Sequence, residues 1–482
     1  MFIKNNNTNI DTKKSFIFYD YETFGLNISL DKVAQFCSIE TDHEFKVIRK
    51  KTVLFCYPPI DYLPDPNAVL ITKILPQYTQ KYGLNEYFFA KRIYDIFSQK
   101  NSCIVGFNNI NFDNLITRNI FYRNLLDPYE WSWKNGNFSW DILNILRAFY
   151  IFYPNTMIWY RKVNGSVSFK LSDITFINNI VHIDAHDAYS DVIATFTVAR
   201  YLYKKNKKFF LYLYKISHKK HIIYFISQNY NRPFFYLSSF FGSQNNNLGC
   251  ILIIGTHPKY TNNLIVINLS INIKKIFHLY SLSNNIMLTV RQLFDCGIHI
   301  IYINKSPLFF SYNSLSLQDC QRLNINYKRC QKNFFLLKNN ILLKNWILSI
   351  FLLNKKNEVC NDVDLLLYKN FFNSLDKLSF SFIHTHIPVQ WIHWCPKFID
   401  TRIEEIFFRL KARNFISLLN FDEMKRWQLH CQNKINNTYI KEYVRQIKCL
   451  QNKYYLNKKK FFLLEKLIIY MNQIIYNINN LI

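Results

Sequence analysis

Two carboxylates, Asp20 and Glu22, stand two residues apart in the run FIFYDYETFG at 16–25. The run is short, apolar and aromatic, which predicts a buried strand, and side chains two apart on a strand leave the same face. Like charges held that close repel, and near a core neither sheds its charge cheaply. A divalent cation relieves both costs, because hard ions such as magnesium or manganese take carboxylate oxygens. The alternative is a strand end whose acids face water. Two later segments carry groups of the same kind. GFNNINFDNLITRN at 106–119 follows a strand-like run and opens a helix, which puts Asp113 near a helix start. AHDAYSDVIATF at 185–196 puts Asp191 about one turn inside a helix, with His186 in the turn that leads into it. Singly, Asp113 reads as a capping acid, Asp191 as part of a solvated helix face and His186 as a satisfied turn histidine. Beside a strand DxE they read together as one site, with His186 free to swing over the place that Asp191 enters from its helix face.

The elements that position these residues follow from periodicity. From 15 to about 203, strand-like runs (FIFYD, AQFCSI, KTVLFCY, CIVGFN) alternate with helical stretches at Glu86–Ser98, Phe112–Arg123, Trp140–Tyr150 and Ala188–Tyr203. That alternation predicts an α/β layer on a mixed sheet. KKNKK at 204–208 reads as a linker. From about 209 to 353, short runs such as CILIIGT, NLIVINL and GIHIIYINKSPLFF predict a β-rich region with some helix. Beyond 360, apolar residues recur at three- and four-residue spacing in DVDLLLYKNFF, IEEIFFRLKARNF, EYVRQIKCLQNKYY and FFLLEKLIIYMNQIIY, which predicts amphipathic helices packed together. Residues 1–14 read as a mobile tail.

Composition narrows the class. A chain of 482 residues, 49% hydrophobic and 18% aromatic, has material for two or three globular domains. Lys plus Arg is 60 against 32 for Asp plus Glu, and the excess of +28 favours a polyanionic partner, nucleic acid first. The chain is also crowded with Lys, Asn, Ile, Phe and Tyr, which an AT-rich genome over-supplies, so the charge supports this reading without carrying it. Eleven scattered cysteines, an odd number with no CxxC pair, argue against a disulfide framework or zinc module and for a reducing cytoplasm. The opening MFIKNNNTNIDTKK lacks the apolar stretch of a signal peptide, and no apolar run reaches the roughly 20 residues that span a bilayer. The expectation is a cytoplasmic protein without a membrane partner.

Asp20, Glu22, Asp113, His186 and Asp191, in the contexts DYETFG, NFD and HDAxxD, resemble the DEDDh group of 3′–5′ exonucleases. ITKILPQ at 71–77, TRNIFYRNLLDPYEWSWKNGNFSWD at 117–141, YINKSPL at 302–308, DVDLLLYKNFF at 362–372 and ARNF at 412–415 narrow this. In matching order along the whole chain, they resemble the bacterial exodeoxyribonuclease I family. The resemblance implies an α/β exonuclease (ribonuclease H-like) domain with a mixed sheet at 15–203, an SH3-like β-rich domain at 204–353 and an α-helical C-terminal domain at 354–482. It implies a monomer that degrades single-stranded DNA 3′ to 5′, releases 5′-mononucleotides and serves DNA repair and recombination. An RNA-trimming or proofreading nuclease, and an inactive single-strand-binding remnant, are the competing readings.

The resemblance also assigns roles. Asp20, Glu22 and Asp191 would hold two Mg2+ ions, or Mn2+, with Asp113 completing the cluster directly or through water, for two-metal hydrolysis. His186 would be the general base, a task for which free imidazole, titrating near neutrality, is suited. Glu22 would also meet substrate, while Arg118, Tyr129, Trp133 and Arg147 would line the strand-binding groove by base stacking and phosphate contact. For Tyr129 and Trp133, four apart, a helical core stripe is the alternative. Lys170 stands where the family favours arginine, keeping the charge but losing the bidentate fork. Lys219, His299, Tyr302 and Lys305 are further candidates for strand contact or plain surface residues. The family also docks the acidic tail of single-strand DNA-binding protein, and Ser316 occupies a place where a basic residue is expected.

Overall fold

The computed structural model describes residues 15–183, 185–282, 289–353, 361–394 and 396–482. The expected tail at 1–14 lies outside them. The chain forms two compact units, one of Lys13–Phe138, Ile183–Ile193 and Val359–Ile482, the other of Ser139–His182 and Ala194–Glu358.

In the first unit β1 (Ser15–Thr23), β2 (Val33–Asp42), β3 (Val47–Phe55) and β4 (Ser102–Gly106) form a sheet whose order is β3-β2-β1-β4. A fifth strand, β5 (Phe138–Asp141), follows β4 in that order, and the chain passes from one unit to the other within it. β1, β2 and β3 run antiparallel and β4 runs parallel to β1, so the sheet is mixed as expected. Alternation along β1 sorts its side chains. Ile17, Tyr19 and Tyr21 join Phe36, Phe89 and Phe97 in one core. On the other face Phe16 and Phe18 meet Phe45, with centroids at 5.3 and 6.0 Å, before the same face turns acidic at Asp20 and Glu22.

The late chain is helical at Arg402–Asn414, Phe421–Lys434, Asn437–Lys453 and Lys458–Asn479, as the spacing predicts. These helices bury Trp427, Tyr443, Leu467 and Tyr470 in a core that also takes Phe24, Ala34 and Leu63 from the early chain. DVDLLLYKNFF is a correction: beyond a short turn at Val363–Leu365 it is not helical. Arg402 takes the carbonyls of Leu366 and Asn370 at 2.6 and 2.9 Å, so they are claimed by a side chain. Asp362 and Asp364 are likewise drawn to Arg409 at 2.5 and 3.1 Å.

The second unit holds an antiparallel sheet of β6 (Phe234–Leu237), β7 (Leu248–His257), β8 (Tyr260–Asn268), β9 (Ile298–Tyr302) and β10 (Leu308–Ser311), in the order β10-β6-β7-β8-β9. It also contains more helix than its strand-like runs suggest, including Lys207–Ile216, Lys219–Asn229, Tyr327–Lys338 and Ile341–Leu353. KKNKK is not a linker. Lys204 and Lys205 close the helix Ala188–Lys205, and Asn206 caps the next one by accepting from the Phe209 N–H at 3.0 Å. Trp140, expected to open a helix, belongs to β5, and Asp141 caps the helix Ile142–Phe152 through the Leu143 N–H at 3.0 Å. Among the described residues no single helix is long and apolar enough to cross a membrane, and Cys37, Cys56, Cys103, Cys250, Cys296, Cys320, Cys330, Cys431 and Cys449 are free thiols.

Candidate active site

β1 outruns its parallel neighbour. Their pairing ends at Phe18 opposite Val105, so Asp20 and Glu22 lie beyond it, where the chain leaves β4 to reach the helix Asp113–Arg123. Splayed strand ends of this kind are where open α/β sheets form clefts. The exit is tight: a Cβ on Gly106 would come within 2.5 Å of the Asn109 Cβ. Asn109 in turn donates to Asn114 at 3.3 Å. The opposite face of β1 pins the helix, as the Tyr19 hydroxyl donates to Asn114 at 2.6 Å and Thr117 donates to the Tyr21 hydroxyl at 3.1 Å. The strand that carries two acids therefore also fixes the third, buried Asp113 in the helix's first turn.

The fourth acid and the histidine arrive from Ile183–Ile193, in the same unit. Asp191 lies in the first turn of the helix Ala188–Lys205, as expected. His186, exposed on the preceding turn, has φ +71°, and its backbone N–H donates to the Asp191 carboxylate at 3.3 Å. Asp187 is the cap: its carboxylate accepts from the Ser190 N–H at 3.1 Å, and its carbonyl accepts from the Asp191 N–H at 3.0 Å. Ligand atoms of Glu22, His186 and Asp191 all fall within 4.8 Å of one another, a set able to hold a metal ion.

Electrostatics ties Asp20 and Asp113 to the same cluster. Burial pushes the Asp20 carboxyl well up, and the charges of Asp113, Glu22 and Asp191 push it further. Glu22 is driven up to about 8 by burial, then by Asp191, Asp113 and Asp187. The charges that bear on both are those of other carboxylates. Two carboxyls raised in this way among further carboxylates fit a divalent cation, whose charge would favour the ionised form of both.

The expected substrate residues fall into both units. In the unit of the acids, the Arg118 guanidinium lies 5.4 Å from the Tyr129 ring centroid, and its buried Nε has no hydrogen-bond partner among the described residues. Tyr129 and Trp133 do not form a helical core stripe, because Glu130–Ser132 is one short turn and Trp133 is 63% exposed. They line a cavity of about 260 Å³ with Tyr122, Asn370, Phe371 and Lys377. Phe371 meets Tyr129 edge-on at 5.1 Å and is 79% exposed. The helical reading of 362–372 hid that residue. In the other unit buried Arg147 donates to Asn144 at 3.0 Å and faces the Phe169 ring at 6.0 Å. Exposed Lys170 immediately precedes the helix Leu171–Ile177.

Lys219, which opens the helix Lys219–Asn229, donates to Asn262 of β8 at 2.9 Å, one residue from Asn263, which pairs with Tyr302. Lys305 lies 4.9 Å from the Tyr302 ring centroid. His299, three residues from Tyr302 on β9 and so on its other face, stands against Phe240 at 3.6 Å, and burial pushes its imidazole down to about 3. Ser316 caps the helix Leu317–Arg322 in a reciprocal capping box with Asp319.

Family models match along the chain: Exonuclease at 17–199, Exonuclease I SH3-like domain at 217–352 and Exonuclease I C-terminal domain at 361–474. The chain is 41% identical over 460 residues to exodeoxyribonuclease I of Buchnera aphidicola subsp. Schizaphis graminum, covering 95% of each. It is 35% identical over 468 residues to that of Escherichia coli K12, covering 96% of this chain and 98% of the relative. A crystal structure of E. coli Exonuclease I in complex with a dA16 oligonucleotide superposes at TM-score 0.91 with 34% identity, over 96% of this chain and 100% of the other. A zinc-bound E. coli ExoI–ssDNA complex (TM-score 0.90) and an SSB/Exonuclease I structure with the inhibitor CFAM (TM-score 0.88) are similar at 34% identity. Each covers 96% of this chain, and the chain covers 100% and 99% of theirs respectively.

Proposed function

The chain belongs to the exodeoxyribonuclease I family, and from that premise we propose that it shortens single-stranded DNA from the 3′ end and releases 5′-mononucleotides. The observation that carries the reading is the meeting of Glu22, His186 and Asp191 within 4.8 Å, beside Asp20 and Asp113. Asp20, Glu22 and Asp191 would hold two divalent cations, Mg2+ foremost, with Asp113 completing the charge. Bound cations supply charge neutralisation at the scissile phosphate and ease deprotonation of the attacking water. His186, exposed at the rim, takes the proton of that water. Tyr129, Trp133 and Phe371 offer ring faces to unpaired bases, and Arg118 offers charge to phosphates. Arg147, Lys170, Lys219, Tyr302 and Lys305 would extend the grip, whereas His299 serves the packing against Phe240.

We keep three domains, at 15–203, 204–353 and 354–482, as part of this reading; the separate family models lend it support. A monomer working in the cytoplasm on repair and recombination intermediates fits the free thiols. Docking of the acidic tail of a single-strand DNA-binding protein is supported by the SSB/Exonuclease I relative. Here Ser316 is spent on a helix cap, so neighbouring basic groups would supply the grip. The test is digestion of a 5′-labelled single strand with Mg2+, beside RNA of equal length and an Asp20→Ala control. A ladder shrinking from the 3′ end, lost in the control, is expected. A strong RNA preference, or DNA binding without turnover, would replace this reading with one of its competitors.

A further inference from the structure

One buried side chain touches both arms of the site. Gln35 on β2, 3% exposed, stands directly opposite Glu22 in the antiparallel register. Its Nε2 donates to the Asp187 carboxylate at 2.9 Å, and its Oε1 accepts from the Ala188 N–H at 3.1 Å. The second bond occupies one of the first-turn N–H groups that a helix leaves without an internal partner. The first fixes the cap residue, leaving the other Asp187 oxygen to hold the Ser190 N–H at 3.1 Å. Asp187 lies between His186 and the helix, so whatever holds Asp187 sets the turn on which His186 reaches φ +71°. Gln35 and Asp187 are 152 residues apart in the chain.

We propose that Gln35 is a positioning residue for the reaction: through the Asp187 cap it fixes the distance between the β1 carboxylate Glu22 and the turn carrying His186 and Asp191. A glutamine suits this place because it donates and accepts at once, so one side chain meets both an acid and a backbone N–H. Glutamate would keep the acceptor but set a charge against Asp187. Leucine would fill the space and leave both partners unmet. Groups one step behind metal ligands typically change metal affinity or activity 10–100-fold when removed, and Gln35 falls in that class.

The inference rests on the exonuclease reading, and its test separates the two. Full-length wild type, Gln35→Glu and Gln35→Leu are compared for kcat and KM on a labelled single strand. The rise in Tm on adding Mn2+ without DNA, and oligonucleotide affinity in EDTA, are measured alongside. A kcat about 10–100-fold lower, a smaller Mn2+-induced Tm rise, and KM and EDTA affinity within about twofold of wild type are expected. If either variant folds yet keeps wild-type kcat and Mn2+ response, the inference is overturned. It is equally overturned if affinity in EDTA falls in step with kcat, or if neither variant folds, since Gln35 would then serve structure alone. If wild type itself fails to shorten DNA, the exonuclease reading falls instead.

Discussion

The molecule buries two groups of acids within one unit and treats them in opposite ways. Around Arg413, the guanidinium binds Asp61 at 2.7 Å and Asp364 at 2.6 Å, while Arg409 and Lys434 hold Asp362 at 2.5 and 2.9 Å. Nearby, Glu86 meets Arg123 with both oxygens, at 3.1 and 2.8 Å. Burial alone would raise these carboxyls. The arginine charges and hydrogen bonds outweigh it, holding Asp61 and Asp364 well below the usual range and Glu86 at about 2. Asp20 and Glu22 are also removed from water, yet the charges pressing on them are those of other carboxylates, and both are pushed up. A cluster neutralised from within ties the early chain to the C-terminal helices. A cluster whose carboxyls press on one another, and so hold protons, is suited to exchange those protons for cations from outside.

The contrast breaks most sharply at the histidine. His186→Ala should cost about 10²–10⁴-fold in kcat, with Tm unchanged because the side chain is exposed, as digestion assays and thermal melts would register. Arg413→Leu should do the reverse. It strands two buried carboxylates and should destabilise the fold by about 3–5 kcal/mol in urea titration, while the folded fraction keeps its response to Mg2+.

The two clusters also give opposite pH signs. Glu86 has its carboxyl lowered from 4.5 to about 2, so its contribution is present above pH 4.5 and lost as pH falls through 2. Glu22 is raised from 4.5 to about 8, so the metal-free chain binds extra protons and loses stability as pH rises across that window. Added Mg2+ should therefore stabilise the chain more at pH 8 than at pH 5.5, read as a larger rise in Tm; a hundredfold excess over the Kd at pH 8 contributes about 2.7 kcal/mol. Equal shifts at both pH values would contradict the assignment. The smallest effect is at the aromatic cavity, where Trp133→Ala should weaken oligonucleotide binding by about 1–3 kcal/mol per lost stack, measured in EDTA by fluorescence anisotropy.

Sequence pattern exposed one half of this contrast better than the other. The DxE pair was legible because strand alternation is strict, and Asp113, His186 and Asp191 because each sits at a helix start with its own local signature. The helices from Arg402 onward were legible from apolar spacing. What joins distant segments was not. Gln35 and Asp187 carry no local mark of their partnership, and neither do Asp61 and Arg413, 352 residues apart. The stretch at 362–372 has helical spacing, yet Arg402 claims its carbonyls and leaves Phe371 exposed beside Tyr129. Lysine and asparagine at 204–208 read as a linker in isolation, because the role of Asn206 as a helix cap depends on the packed apolar face of Lys207–Ile216.

That Asp20, Glu22, Asp113 and Asp191 together take up divalent cations is most directly tested by titrating the full chain with Mn2+ in a calorimeter, with a single-stranded oligonucleotide present. Saturable binding to the wild type, abolished in the Glu22→Gln, Asp191→Asn double variant, is the predicted result. Binding that survives the double substitution, or none in the wild type, would contradict it.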